Sequence, residues 1–198
     1  MQVITIAAAL FAAIPFASAG NPSGGRAIVI NQCDFDVYLW SIDADRVSSK
    51  PTTCITKSGG TYEERYRVPS TGGVSMKLAK ADHLGPDVHI TQFEYTLAGN
   101  IWYDISNVDC TTVACPFQSY GMTMRAGSGC PVVRCHAGDM TCREAYTEWN
   151  DDWASKACDA TSDVVMTLCS EQPAPEKRGY GARVGRVKHI GHPHIRPS

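Results

Sequence analysis

The chain has 198 residues, 43% of them hydrophobic and 19% charged, with a formal net charge of −2 at pH 7. That small total hides two unlike parts: Gly20 to Ser170 carries 12 Lys and Arg against 18 Asp and Glu, and Glu171 to Ser198 carries 6 against 2. A body of about 150 residues makes one domain, and its acidity excludes nucleic acid as a partner, because phosphate affinity needs clustered Lys and Arg.

Residues 1–19 form an uncharged run rich in Ala, Ile and Phe that closes on Ala17-Ser18-Ala19, the small-residue pattern of signal-peptidase cleavage. We expect a signal peptide cut after Ala19 and an exported mature chain starting at Gly20. The run is too short to span a bilayer and no later stretch is longer, so the chain is not expected to cross a membrane. Strands follow in short runs. RAIVIN from Arg26 and VYLW from Val37 flank Cys33, and TYEERYRV from Thr61, GGVSMKLA from Gly72 and ITQFEYTL from Ile90 come after them. In the fourth of these, Val74, Met76 and Leu78 alternate with Ser75, Lys77 and Ala79, the period of a half-buried strand.

IWYDIS from Ile101 pairs with the preceding run through an Ala98-Gly99-Asn100 turn, as a hairpin. Trp102, Asp104 and Ser106 share one face of it, and Glu94 and Thr96 share one face of its partner. The register decides whether those faces coincide; if they do, Glu94 and Asp104 are neighbours. YGMTMRA from Tyr120 and DVVMTLC from Asp163 complete the strands. Between Cys142 and Cys158, Ala145, Trp149 and Trp153 fall at helical spacing with Tyr146 beside them, which predicts one short helix laying its Trp face on the sheet. The whole reads as an all-β antiparallel sandwich or barrel.

Nine cysteines in an exported chain point to disulfides, with at least one thiol left over. The protein is therefore expected to be a monomer unless that odd cysteine links two chains. A zinc knuckle on Cys130, Cys135 and Cys142 is the weaker reading in an oxidising compartment. Residues 171–198 hold few bulky apolar side chains and many Pro and Gly, so a disordered basic tail is expected. Its Lys177-Arg178 pair is a candidate processing site, and His189, His192 and His194 read as solvated rather than metal-binding. No cofactor is expected.

The order of these pieces resembles the thaumatin-like proteins, and within them the small fungal secreted group named after the Blastomyces yeast-phase-specific antigen. AIVINQCDFDVYLW is similar to the family's opening strands, QFEYTL and WYDISNVD to its Glu- and Asp-bearing strands, GCPVVRC to a later cysteine pair, and CDATSDVVMTLC to its closing strand. The resemblance implies a thaumatin-like β-sandwich over residues 20–170, stapled by Cys33–Cys169 and Cys130–Cys158. Apart from the resemblance, we expect Cys135 with Cys142 as the third pair. Cys54, Cys110 and Cys115 have no counterpart in the larger family and allow one further bridge, Cys110–Cys115 being the marginal choice. The stretch from Cys142 to Cys158 is too short for the family's second, disulfide-rich domain.

The resemblance also implies part of an acidic cleft: Glu94, Asp104 and Asp109 fall on its carboxylate positions and Lys80 on its arginine position. It makes β-glucan a candidate ligand, at the cell wall or at a host surface. The competing expectations are weak β-1,3-glucan hydrolysis by Glu94 and Asp104, and a host-protein-binding antigen or effector without a glycan ligand. With the second domain missing, we expect Glu94 and Asp104 exposed on a shallow face near Lys80, with Asp109 at its rim.

Overall fold

The computed structural model of the chain describes residues 24–110, 115–148 and 152–171. The expected signal peptide, Trp149, the Lys177-Arg178 pair and the three tail histidines lie outside these. Eleven strands are present: β1 (Arg26–Asn31), β2 (Val37–Ile42), β3 (Thr53–Ile55), β4 (Gly60–Arg65), β5 (Val74–Ala79), β6 (Thr91–Ala98), β7 (Asn100–Ser106), β8 (Met122–Arg125), β9 (Val132–Cys135), β10 (Lys156–Asp159) and β11 (Val164–Leu168). They form a five-stranded sheet, β4-β1-β11-β8-β9, and a six-stranded sheet, β10-β7-β6-β5-β2-β3. Only β1 and β11 run parallel.

Alternation decides which side chains meet between the sheets. Val29, Met124, Val164 and Met166 from the five-stranded sheet pack with Leu39, Met76, Phe93, Tyr103 and Ile105 from the six-stranded one, all of them buried. At one end of the sandwich a charged network replaces apolar packing. Glu64 accepts hydrogen bonds from Ser41, Tyr62, Tyr95 and Arg67 at 2.5–2.8 Å, and Arg67 also bonds Asp43. β4 stops at Arg65, opposite the first residue of its partner β1, and Val68 beyond it is exposed ahead of Pro69.

Four disulfides join Cys33 to Cys169, Cys110 to Cys115, Cys130 to Cys158 and Cys135 to Cys142. Cys54, exposed on edge strand β3, is the unpaired ninth. The Cys130–Cys158 bridge ties the β9 side of one sheet to β10 at the edge of the other, closing that flank of the sandwich.

The expected helix between Cys142 and Cys158 is corrected by the structure. Among the described residues this stretch holds one 3-10 turn, Asp152–Ala154, and strand β10. Trp153 is 56% exposed rather than packed on the core, although Ala145 is buried. The segment is anchored at both ends by disulfides, and its backbone finds partners at the end of β7 and just past it: Tyr146 N–H donates to the Ile105 carbonyl and Asn107 N–H to the Tyr146 carbonyl, both at 2.8 Å. Tertiary pairing here overrides an apolar period that would otherwise favour a helix. At the last described position, Glu171 accepts a hydrogen bond from Ala137 N–H and contacts His136.

Candidate functional site

The site is built on the outer face of the six-stranded sheet, where β5, β6 and β7 present their polar positions. The β6–β7 hairpin turns tightly at Gly99, whose φ of 73° is a left-handed conformation that glycine adopts without strain. That turn sets the register Glu94 opposite Asp104, Gln92 opposite Ser106 and Thr96 opposite Trp102. On the other side of β6, Ser75 stands opposite Glu94 and Lys77 opposite Gln92. Two rungs result, Ser75–Glu94–Asp104 and Lys77–Gln92–Ser106. Directly opposed side chains have Cβ atoms roughly 4.5–5.5 Å apart, so the polar faces of the hairpin do coincide.

A groove of about 310 Å³ runs over the first rung, lined by Ser75, Glu94, Thr96, Trp102, Asp104 and Tyr146, with Ser155 beyond. Its close fit at one end depends on Gly73, where a Cβ would sit 2.3 Å from the Thr96 hydroxyl. Tyr146 and Ser155 come from the short disulfide-anchored segment, which thus walls the groove that a second domain was expected to leave bare. Glu94 and Asp104 are consequently half-buried, not exposed as expected.

Burial has electrostatic consequences. Desolvation, and then the neighbouring Glu94 charge, push the Asp104 carboxyl up to about 8, so it keeps its proton at neutral pH. Its Oδ1 is buried without a hydrogen-bond partner among the described residues, an environment that resists a full charge. Glu94 is also raised by burial and by Asp109, with Ser106 and Lys77 acting in the opposite sense. Ser106 Oγ favours the Glu94 carboxylate by proximity but completes no hydrogen bond of standard geometry. The two carboxyls behave as one coupled acid pair with Asp104 as the more reluctant to ionise.

Lys80 is not part of this pair. Its Nζ lies 4.2 Å from the ring centroid of Phe35 and lines a different cavity. A cation on the neighbouring rung, Lys77, bonds Asp109 at 2.6 Å and acts on Glu94. The alternation of Ser75, Lys77 and Ala79 explains the exchange: Lys77 shares the face of Ser75, whereas Lys80 lies past the end of β5 and out of phase. Asp109, in the 3-10 turn Val108–Cys110, is exposed and does not line the groove. Trp102 was the residue that carboxylate-led reasoning passed over. It is 44% exposed, two positions from Asp104 on the same face, and its shared parity with Asp104 was the signal that could have found it. Among the described residues no group of three or more His, Cys, Asp or Glu is arranged to hold a metal ion.

Residues 14–170 match the family model of the Blastomyces yeast-phase-specific protein. An antigenic thaumatin-like protein of Arthroderma benhamiae is 38% identical over 195 residues, covering 96% of this chain and 94% of that protein. The secreted thaumatin-like protein calA of Emericella nidulans is 31% identical over 172 residues, covering 84% of this chain and 95% of its own length. Among solved structures, the protein elicitor MoHrip2 from Magnaporthe oryzae aligns with a TM-score of 0.59 at 25% identity, over 74% of this chain and 99% of that one.

Proposed function

The chain belongs to the Blastomyces yeast-phase-specific protein family, a fungal group of thaumatin-like proteins, and from that premise we propose that it acts outside the cell by binding β-glucan in the groove of Glu94, Trp102, Asp104 and Tyr146. The observation that carries this reading is the exposed Trp102 ring on the face of an opposed carboxyl pair. A pyranose offers hydroxyls around its rim and C–H groups on its faces. Glu94 can accept hydrogen bonds from the hydroxyls, the neutral Asp104 can both donate and accept, and an aromatic ring covers the apolar face. With β-glucan as the ligand the protein acts at the cell wall; a host surface component is the alternative partner. Retention on insoluble β-1,3-glucan tests it: the parent should be depleted from solution and Trp102→Ala should stay largely in the supernatant. A parent that stays in the supernatant points instead to a host protein as the partner.

One observation favours hydrolysis as a second reading. A carboxyl held neutral at pH 7 beside one that ionises first is the pairing of general acid and nucleophile or base in glycoside cleavage. Here Asp104 would protonate the glycosidic oxygen. Against it, burial also raises Glu94, so the group that must act as an anion is itself held back. Binding is thus the stronger reading, and reducing-sugar release from soluble β-1,3-glucan by the parent, lost in Asp104→Asn, would reverse that order.

A further inference from the structure

Lys80, displaced from the acidic groove, lines a cavity of about 340 Å³ with Asp87, Val88, His89, Ser119 and Tyr120. Pro116 and Cys115 of the Cys110–Cys115 disulfide add apolar surface to the same wall. The Lys80 ammonium sits between two rings, 4.2 Å from the centroid of Phe35 and 5.2 Å from that of Tyr120. Those rings meet edge to face at 5.5 Å and hold each other in place. Ring faces attract a cation but accept no hydrogen bond comparable to a carboxylate's. No carboxylate among the described residues is in ion-pair contact with Nζ, and Asp34 is the nearby charge that acts on it. Packing against the rings also removes part of the ammonium's water, which lowers its pKa.

A solvent-accessible ammonium held over two rings, at the edge of a cavity with an apolar wall of Val88, Pro116 and Tyr120, is suited to an anion that brings its own apolar body. We propose that this cavity binds a small organic monoanion, a carboxylate carried on an aromatic or aliphatic body, with the carboxylate on Lys80 Nζ and the body against Val88 and the Tyr120 ring. Asp87 lines the same cavity and repels a dianion more than a monoanion, and a bare phosphate brings no apolar body to Val88 and Tyr120, so an organic monoanion fits better than phosphate. The cavity volume suits a ligand at the small end of the usual range, roughly 300–1,000 Å³. The site is independent of the glycan groove, whose lining residues are different.

The test uses the full chain, titrated with 4-phenylbutyrate, 4-phenylbutanol and inorganic phosphate while backbone amide resonances are followed by NMR. The carboxylate should produce saturable shifts at Ala81, His89, Ser119 and Tyr120, and should bind about tenfold more tightly than the alcohol, as one charge-assisted hydrogen bond implies. Phosphate should shift none of them. Lys80→Met, with an unchanged melting temperature, should bring the carboxylate down to the affinity of the alcohol, and Glu94→Gln/Asp104→Asn should leave both unchanged. Equal affinity for acid and alcohol overturns the proposal. So does an absence of saturable shifts, or a Lys80→Met variant that keeps the preference for the acid.

Discussion

Asp104 is a carboxyl whose surroundings favour the proton, and this has a sign that can be checked. Its folded value of about 8 lies above the unfolded value of about 4, so the folded state binds the proton more tightly. The resulting stabilisation is complete below the unfolded value and is lost as pH rises towards the folded one. The melting temperature of the parent should therefore fall between pH 5 and pH 9, and Asp104→Asn should flatten that fall. An equally steep profile for the variant would place the titration on another group. This revises the expectation for exposed carboxylates, whose replacement by amides would change stability by less than about 1 kcal/mol at any pH. Lys77 offers a second check. Its ammonium holds Glu94 down against burial, so Lys77→Met should raise the Glu94 midpoint in a carboxyl-carbon NMR titration. An unmoved midpoint would show that Lys77 serves only Asp109.

At the scale of elements, the β6–β7 hairpin shows how far the residues alone could lead. The period-two patterns of QFEYTL and IWYDIS and the glycine between them were legible, and so was the choice to which the register reduces. The register itself was not: burial of Phe93, Tyr95, Tyr103 and Ile105 disfavours a slip of one residue, but a slip of two keeps every side chain on its face, and the turn decides between those alternatives. The short segment from Cys142 to Cys158 misled for a different reason: its spacing suits a helix, but its two disulfide anchors and the open edge of β7 give its backbone better partners. Strands β3, β9 and β10, of three or four residues each, carry too few positions for a period to register. The disulfides rank by the loops they close. Cys33 and Cys169 are separated by 136 positions and Cys110 and Cys115 by 5, for which chain entropy gives upper figures of about 5 and about 2 kcal/mol. Urea unfolding should rank Cys33→Ala/Cys169→Ala as the more damaging pair. The reverse order would mean that the small loop at Cys110 supports packing well beyond itself.

For the molecule as a whole, Glu171, the last described residue, is still tied to the body, its carboxylate bonding Ala137 and His136. Residues 172–198 are basic and poor in bulky apolar side chains, so deleting them should leave the melting temperature nearly unchanged. A drop of many degrees would mean that they dock on the acidic body. Native protein should also react with one equivalent of a thiol reagent, at Cys54, or appear as a dimer joined there. The central claim is that the carboxyl pair and Trp102 together form a glucan-binding groove, and calorimetric titration with a β-1,3-linked glucose hexamer tests it most directly. The parent should bind saturably. Glu94→Gln/Asp104→Asn and Trp102→Ala should each weaken binding by roughly tenfold or more, the loss expected for one good polar or stacking contact. Binding by the parent that neither variant weakens, or no binding by the parent at all, would contradict it.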